Sequence, residues 1–309
     1  MGENPDLISK TVGVEASTNA FLGVCIDQNN EVASLHRGQI SRDESPAEQL
    51  IAFIGSLKER FGDFDRIGVA VPGLIEKGNK RVAFSAHIPE HAAVDLTQEI
   101  ASAHGIAATI ENDANAAAYG EFKLGSGQGS RNLFYATLGE GVGGAFIIDG
   151  EIWRGNAGFA GEFGYVAINS DGMRLEDVAS TANIVRRTRS RFQQDSTSSL
   201  NRIDEQQITI EDIVRAAERQ DDFAQLMLQR TGNYVGTAIA SVINLLNIET
   251  IVIGGEIMRA ADLVLDAIIR RARELSFAPS FNSTTIVAGS LGENAAAVGA
   301  ALLAKNGDQ

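Results

Sequence analysis

The sequence lacks the features that mark several classes of protein. Its single cysteine, Cys25, excludes an intrachain disulfide and every cysteine-rich zinc motif. No run of about 18 apolar residues occurs, so we expect no membrane span. The N-terminus, MGENPDLISK, is polar and has no apolar stretch of the kind a signal peptide needs. We therefore expect a cytoplasmic protein without a membrane partner.

Basic residues and proline are also scarce. The 309 residues include 26 Lys and Arg against 40 Asp and Glu, which gives a formal charge of −14. This surplus of acidic groups opposes binding to nucleic acid, whose phosphates require a basic surface. The chain has only 5 prolines but 32 glycines, a ratio that fits many tight turns near a ligand. A chain of this length corresponds to about two domains.

A strand–turn–strand–turn–strand pattern occurs twice and indicates two related halves. The first copy lies near residues 12–36 and the second near 133–153. Caps and apolar spacing predict a helix that begins after Ser45 and a long helix over 222–247. The polar stretch near 186–207 predicts a mobile connection. We place a small N-terminal domain at 8–112 plus 290–306 and a large domain at 113–289.

The first candidate site is a glycine turn. Gly139, Gly141 and Gly144 match the G-x-G-x-x-G pattern, but a strand and an Asp-Gly hairpin follow instead of the helix that a dinucleotide fingerprint requires. Two interpretations remain open. The turn can aim backbone N–H groups at a phosphate, or it can be a tight hairpin without a ligand.

The second candidate is Asp113, at a predicted strand-to-helix junction. A carboxylate at this position can accept a proton from a substrate hydroxyl as a general base. It can equally cap the helix that we predict to begin at Ala114, and both roles can hold at once.

Taken together, several segments resemble the ROK family of sugar kinases and sugar-responsive repressors. The stretch from Glu111 to Glu121, ENDANAAAYGE, is similar to the family's catalytic segment. The other matching segments are 138–144 and 158–164, Leu175-Glu176 with Ala179-Ser180, Val71-Pro72-Gly73, Gly254-Gly255 and Leu291-Gly292. The resemblance covers nearly the whole chain. It implies an α/β, two-domain, actin-like ATPase (RNase H-like) fold with a cleft between the domains that holds sugar and Mg-ATP.

The resemblance also implies roles for individual residues. Asp113 would take the proton of the sugar 6-hydroxyl, and positioning and charge stabilisation would supply most of the catalysis. Asn112, Glu162 and Glu176 would hold other sugar hydroxyls. The remaining sugar-binding candidates are Gly73, Tyr165 and His87. The candidates for nucleotide binding are Ser17 and Thr18, then Gly139, Glu140, Gly141 and Gly143, and finally Gly254 and Gly255.

The sequence departs from the family pattern at several positions. Tyr165 replaces the zinc-binding histidine and the segment near 169–174 has no cysteine, so we expect no structural zinc. Tyr165 can donate its hydroxyl toward a sugar or serve as a packing aromatic. His87 replaces a sugar-binding asparagine.

The phosphate loops differ as well. The first loop, Asp-x-Gly-Gly-Thr in the kinases, is here 15–19, EASTN, and Glu140 replaces a threonine in the second. Two unit charges about 4 Å apart repel by roughly 4 kcal/mol at an effective dielectric constant of about 20, so an inward Glu140 would weaken ATP binding.

These departures leave two functions. The first is a glucokinase-like hexose kinase that uses ATP and Mg²⁺. The alternative is a catalytically weak sugar-binding protein of the family, a sensor or pseudokinase with impaired ATP binding. A repressor is disfavoured because the first strand begins near Thr11, which leaves no room for a helix-turn-helix. The resemblance further implies a homodimer or homotetramer that binds a small-molecule sugar and a nucleotide.

Overall fold

The computed structural model describes residues 10–41, 43–76, 81–85, 88–192 and 196–306. His87, a predicted sugar-binding residue, lies outside them. The chain divides into two compact units. The first consists of Met1–Gln128, Glu151–Ala160 and Glu293–Gln309, and the second of Gly129–Gly150 and Gly161–Gly292. The first unit extends past residue 112, where we predicted a domain boundary, because helix 113–124 packs within it.

The secondary structure consists of groups of strands separated by one or more helices. The strands are β1 (Thr11–Ala16), β2 (Ala20–Ile26), β3 (Val32–Gln39), β4 (Arg66–Val71), β5 (Leu74–Ile75), β6 (Val82–Phe84), β7 (Ala107–Asn112), β8 (Leu133–Leu138), β9 (Val142–Ile148), β10 (Glu151–Ile152), β11 (Thr250–Gly254) and β12 (Thr285–Ala288). The helices are α1 (Pro46–Phe61), α2 (Glu90–Ala93), α3 (Leu96–His104), α4 (Asp113–Leu124), α5 (Glu176–Ala179), α6 (Thr181–Arg189), α7 (Ile210–Glu218), α8 (Asp222–Leu246), α9 (Ala261–Leu275), α10 (Ala278–Asn282) and α11 (Ala295–Asn306).

The two units repeat one sheet topology. In the first, the strand order is β3-β2-β1-β4-β7, with β1 antiparallel to β2 and parallel to β4. In the second, neighbouring strands follow the order β9-β8-β11-β12, with β8 antiparallel to β9 and parallel to β11. The prediction of two related halves is therefore confirmed.

Local sequence signals account for most element boundaries. The Ser45 side chain accepts a hydrogen bond from the Glu48 N–H and caps α1, which begins at Pro46. The Asp95 side chain caps α3, and Gly105 ends that helix with a φ of 65°. Each unit has its own apolar core, built on the buried faces of its sheet. Cys25 is buried, as expected for a core residue.

Part of the polar stretch near 186–207, for which we predicted a mobile connection, forms helical structure. Residues 186–189 are the last turn of α6, and short 3-10 helices cover Ser199–Arg202 and Glu205–Gln207. Ile184 and Thr188 are fully buried, so one face of α6 packs against the core despite the polar composition of the segment. The high Arg and Ser content of the segment did not indicate this buried helix face.

Helix α11 packs unusually close to the sheet of the first unit. A Cβ atom added at Gly68 of β4 would stand 1.8 Å from the carbonyl oxygen of Ala300. A Cβ at Gly13 of β1 would stand 2.0 Å from the carbonyl oxygen of Ala297. On its other side, α11 approaches α4 so closely that a Cβ at Gly299 would meet the Ala116 carbonyl at 1.7 Å. These three glycines let α11 support both the sheet and α4.

Candidate functional site

The junction between β7 and α4 places two of the predicted residues side by side. Asn112 is the N-cap of α4, since its Oδ1 accepts from the Asn115 N–H at 3.0 Å. Asp113 is the first helical residue, and its Oδ1 accepts from the Ala114 N–H at 2.8 Å and from Asn112 Nδ2 at 3.0 Å. The interpretation of Asp113 as the N-cap is therefore wrong, because the helix begins one residue earlier than predicted. A negative charge here is favoured by the helix N-terminus.

Gly73 joins the same group through its backbone. Asn112 Nδ2 donates to the Gly73 carbonyl oxygen at 2.9 Å as well as to Asp113. Both amide protons of Asn112 are thus engaged within the first unit, and its oxygen holds the helix cap. The structure brings Gly73, Asn112 and Asp113 together in one hydrogen-bonded group, which fixes the orientation of the Asp113 carboxylate.

Glu15 contributes a second carboxyl group near Asp113. The pKa of Glu15 is raised to about 8, chiefly by burial and also by the charges of Asp113 and Glu293, while Arg37 opposes the shift. Arg37 itself pairs with Glu293, with 2.5 Å between Nη2 and Oε1. With this pKa, most Glu15 side chains are protonated and neutral at pH 7.

Ser17 and Thr18 lie in the turn between β1 and β2. The Ser17 N–H donates to the Ala20 carbonyl at 2.9 Å, and the Ser17 hydroxyl donates to the same oxygen at 2.8 Å. The Ser17 backbone and side chain thus close the turn. An anion would have to open this turn to use the Ser17 N–H, so the loop is poorly prepared for a phosphate.

In the second unit, Glu162 and Glu176 form a pair of neighbouring carboxylates. The pKa of Glu162 is raised by burial and, to a smaller degree, by the charge of Glu176. Glu176 Oε2 accepts from the Val142 N–H at 3.0 Å, which anchors it to the start of β9. Such a pair offers several acceptors for the hydroxyl groups of a sugar.

Tyr165 lies close to this pair in sequence and is 60% exposed. The guanidinium of Arg174 stands 4.3 Å from the centre of its ring. This cation–π contact holds the ring from one face. The packing partner, Arg174, was not expected from the sequence.

The turn before β9, residues 139–141, is closed by a backbone hydrogen bond and has open space beside Gly139. The Gly139 N–H donates to the Gly141 carbonyl at 3.0 Å, and the Gly139 carbonyl accepts from the Thr181 N–H at 2.8 Å. A Cβ at Gly139 would meet no atom within 4 Å. Glu140 is exposed to solvent, where water screens its charge. Gly143 follows in β9 and is partly exposed.

Gly254 and Gly255 have a packing reason to be glycine. A Cβ at Gly254 would stand 2.2 Å from the Tyr135 hydroxyl. Gly255 has a φ of 94°, and a Cβ there would lie 2.5 Å from the Leu138 amide nitrogen. The contact of these glycines with adenosine stays a prediction.

Sequence reasoning missed one ion pair beside Asp113, in which the carboxylate is buried and the guanidinium is partly exposed. Glu111 in β7 is 4% exposed and pairs with Arg154, 43 residues away. A glutamate directly after Ile110 is the signal that could have revealed it, because a carboxylate buried at the end of a strand needs a counterion.

Within the described ranges, neither a metal-binding cluster nor a membrane-spanning helix is present. Among these residues, no group of three or more His, Cys, Asp or Glu side chains is arranged to hold a metal ion. None of their helices combines the length and apolar character needed to cross a membrane.

Comparison with known proteins relates the whole chain to one family. The model of the ROK family matches residues 11–307. The glucokinase of Thermotoga maritima is 28% identical over 96% of this chain and 97% of its own length. The xylose repressor of Bacillus spizizenii is 29% identical, but the match covers 75% of this chain and only 59% of the repressor.

A solved structure gives the same relationship. The ROK family glucokinase of Streptomyces griseus, in complex with glucose and AMPPNP, superposes with a TM-score of 0.84 at 26% identity. The match covers 96% of this chain and all of that one. The predicted α/β fold of the actin-like ATPase type is thereby confirmed. With its family model spanning 11–307 and its fold matched along nearly its whole length, the chain belongs to the ROK family.

Proposed function

We propose that the protein is an ATP-dependent sugar kinase that transfers the γ-phosphate to the 6-hydroxyl of a hexose. The observation that carries this proposal is the Asp113 carboxylate, held at the first turn of α4 by the Ala114 N–H and Asn112 Nδ2. Its glucokinase relatives, one solved with glucose and AMPPNP, support the same reaction class. A fixed carboxylate is what a general base needs.

Asp113 would accept the proton of the attacking hydroxyl as the oxygen–phosphorus bond forms. Asn112, with its amide tied to Gly73, would keep that carboxylate from rotating. Glu162 and Glu176 would accept hydrogen bonds from other hydroxyls of the sugar, and Tyr165 and His87 complete the proposed sugar-binding set. Orientation of the hydroxyl would supply most of the rate enhancement.

The nucleotide would bind the turn with Gly139, Glu140, Gly141 and Gly143. The open space beside Gly139 allows a phosphate to approach the backbone there. Mg²⁺ would arrive with ATP and neutralise charge on the transferring phosphoryl group. The carboxylate oxygens of Asp113 are the type of ligand that Mg²⁺ prefers. A cytoplasmic homodimer or homotetramer remains part of the proposal.

One observation favours the alternative, a sugar-binding protein with weak ATP binding. The Ser17 N–H and hydroxyl both donate to the Ala20 carbonyl, so the first loop offers an anion little. Calorimetry with Mg-AMPPNP separates the two functions. Heat of binding is expected for the kinase, whereas sugar heat without nucleotide heat would identify the alternative.

The direct test is a coupled phosphorylation assay across hexoses and N-acetylhexosamines. We expect Asp113→Asn to lower kcat by about 10²–10⁴-fold, because a general base contributes about that much. The amide keeps the acceptor for the Ala114 N–H, so the fold should persist. Asp149→Asn is the matched control, an exposed aspartate in the turn before β10. Near-normal turnover of Asp113→Asn would refute the assignment of the base.

A further inference from the structure

The buried carboxylate of Glu111 lies directly before the two residues proposed to act on the sugar. Its Oε1 accepts from the Asn112 N–H at 2.9 Å and from Asn115 Nδ2 at 3.0 Å. Its Oε2 accepts from Arg154 Nε at 3.2 Å and Nη2 at 2.5 Å. Four donors from three residues therefore surround one carboxylate that is 4% exposed.

Arg154 is the only charged member among these donors. A buried carboxylate without a counterion is costly, so the guanidinium is what makes Glu111 tolerable in β7. A guanidinium presents a rigid planar set of donors, of which Nε and Nη2 both reach the same oxygen here, whereas a lysine offers a single nitrogen on a flexible stem. The arrangement thus depends on arginine in particular.

The pair connects strand β7, which leads into Asn112 and Asp113, with the segment Glu151–Ala160 of the same unit. On the Glu111 side, the carboxylate holds the Asn112 backbone and the Asn115 side chain, which flank Asp113. On the other side, Arg154 begins the loop 154–160, which is closed by the Ala160 N–H donating to the Arg154 carbonyl at 3.2 Å. Along the chain, that loop ends two residues before Glu162.

We propose that Glu111 and Arg154 are positioning residues for phosphoryl transfer. Together they fix the direction of the Asp113 carboxylate and the start of the segment leading to Glu162. This inference rests on the proposed kinase function. It assigns the pair a role in turnover, whereas a purely structural ion pair would affect stability alone.

The first test measures kinetics on folded protein. We expect Arg154→Met to lower kcat by about 10- to 100-fold, the scale of loss for a misplaced catalytic group. The KM for the sugar should rise, and the KM for ATP should change by less than about twofold. Arg154→Lys, which keeps the charge, should lose less kcat than Arg154→Met and provides a second variant if the first does not fold.

The control is Arg131→Met. Arg131 forms an exposed ion pair with Asp149, at 2.8 Å, remote in sequence from the proposed site. This variant should retain the kcat of the wild type. An Arg154→Met kcat within twofold of the wild type, or an equal loss in Arg131→Met, would overturn the proposal.

The second test does not need activity. Hydrogen exchange of the Asn112 and Asn115 amides should become at least about tenfold faster in Arg154→Met and Arg154→Lys, while exchange in β8 should not change. If the wild type phosphorylates no sugar, the proposed function fails and this measurement alone decides the positioning role. Unchanged exchange at both amides contradicts it, even where kcat falls, because Arg154 would then act by another route.

Discussion

The carboxyl group of Glu15 shows how strongly a single side chain depends on its neighbours. Its pKa rises from 4.5 to about 8 because burial and the charges of Asp113 and Glu293 disfavour the ionised form more than Arg37 favours it. Between these two pH values, the folded protein holds a proton that the unfolded chain has released. The contribution of Glu15 to stability therefore falls as the pH rises from about 4.5 to about 8.

Glu15→Gln should remove this pH dependence. We expect the variant and the wild type to have similar Tm values below pH 4.5, where Glu15 is protonated in both states. At a pH above 8 the variant should be the more stable, because glutamine has no charge to bury. Thermal unfolding across the pH range measures the difference. Glu59→Gln, at an exposed position of α1, is the control. A Tm difference that does not vary with pH would contradict the expectation.

The sequence predicted site residues that lie within a recognisable motif. It did not predict residues whose role depends on a partner far away in the chain. The stretch 111–121 identified Asn112 and Asp113, and the structure joins both in one group. The Glu111–Arg154 pair spans 43 residues, and no local pattern indicates that separation. Tyr165 stood out in the sequence, but its partner Arg174 did not, because a cation–π contact depends on tertiary geometry.

At the level of elements, the close packing of α11 depends on glycines, which have no side chain. Its small residues lie against Gly68 and Gly13 of the sheet, and its Gly299 lies against α4. Because the atoms in contact are backbone carbonyls, they cannot rotate away as a side chain would. The close approach thus leaves no room for a methyl group at these positions.

Gly68→Ala should destabilise the protein by about 2–3 kcal/mol, the typical cost of overpacking a core. The added Cβ would overlap the Ala300 carbonyl, so α11 must move from the sheet. Urea unfolding measures the change. Gly139→Ala serves as the control because its Cβ would meet no atom within 4 Å, and we expect its stability to stay within about 0.5 kcal/mol of the wild type. Equal stability of Gly68→Ala and the wild type would contradict this account of α11.

The start of α1 and the extent of α8 followed from caps and apolar spacing, since these signals are local. Helix α6 was not predicted from the sequence, because arginines interrupt the apolar residues of its buried face. Nor does the sequence show that Gly13 and Gly68 face α11. That match involves residues more than 200 positions apart.

At the scale of the whole molecule, the charge of −14 opposes an anionic substrate. Mg-ATP is an anion, whereas a hexose is neutral, so only the nucleotide meets this repulsion. The Debye length shortens from about 30 Å at about 0.01 M salt to about 8 Å at about 0.15 M, which screens most of the field.

Raising NaCl from about 20 to about 200 mM should therefore lower the KM for Mg-ATP several-fold. The KM for the sugar should stay within about twofold, which makes the sugar the internal control. Steady-state kinetics at saturating co-substrate provide both values. A KM for Mg-ATP that rises with salt would show that local cations, not the net charge, govern nucleotide binding.

The repeated sheet was the part of the overall architecture that the sequence indicated directly, because the strand pattern recurs near 12–36 and 133–153. The boundaries of the units were harder to place. Residues 113–128 and 151–160 pack within the first unit although they lie far along the chain from β1.

The placement of α11 has a consequence for how the protein is made. Strands β1 and β4 are synthesised more than 200 residues before α11, the helix that lies against their Gly13 and Gly68. Until α11 is made, one side of this sheet lacks its cover. By then residues 129–150 and 161–292, which form the second unit, have already been synthesised. During translation β1 and β4 must therefore wait for α11 with one face open to solvent and to chaperones.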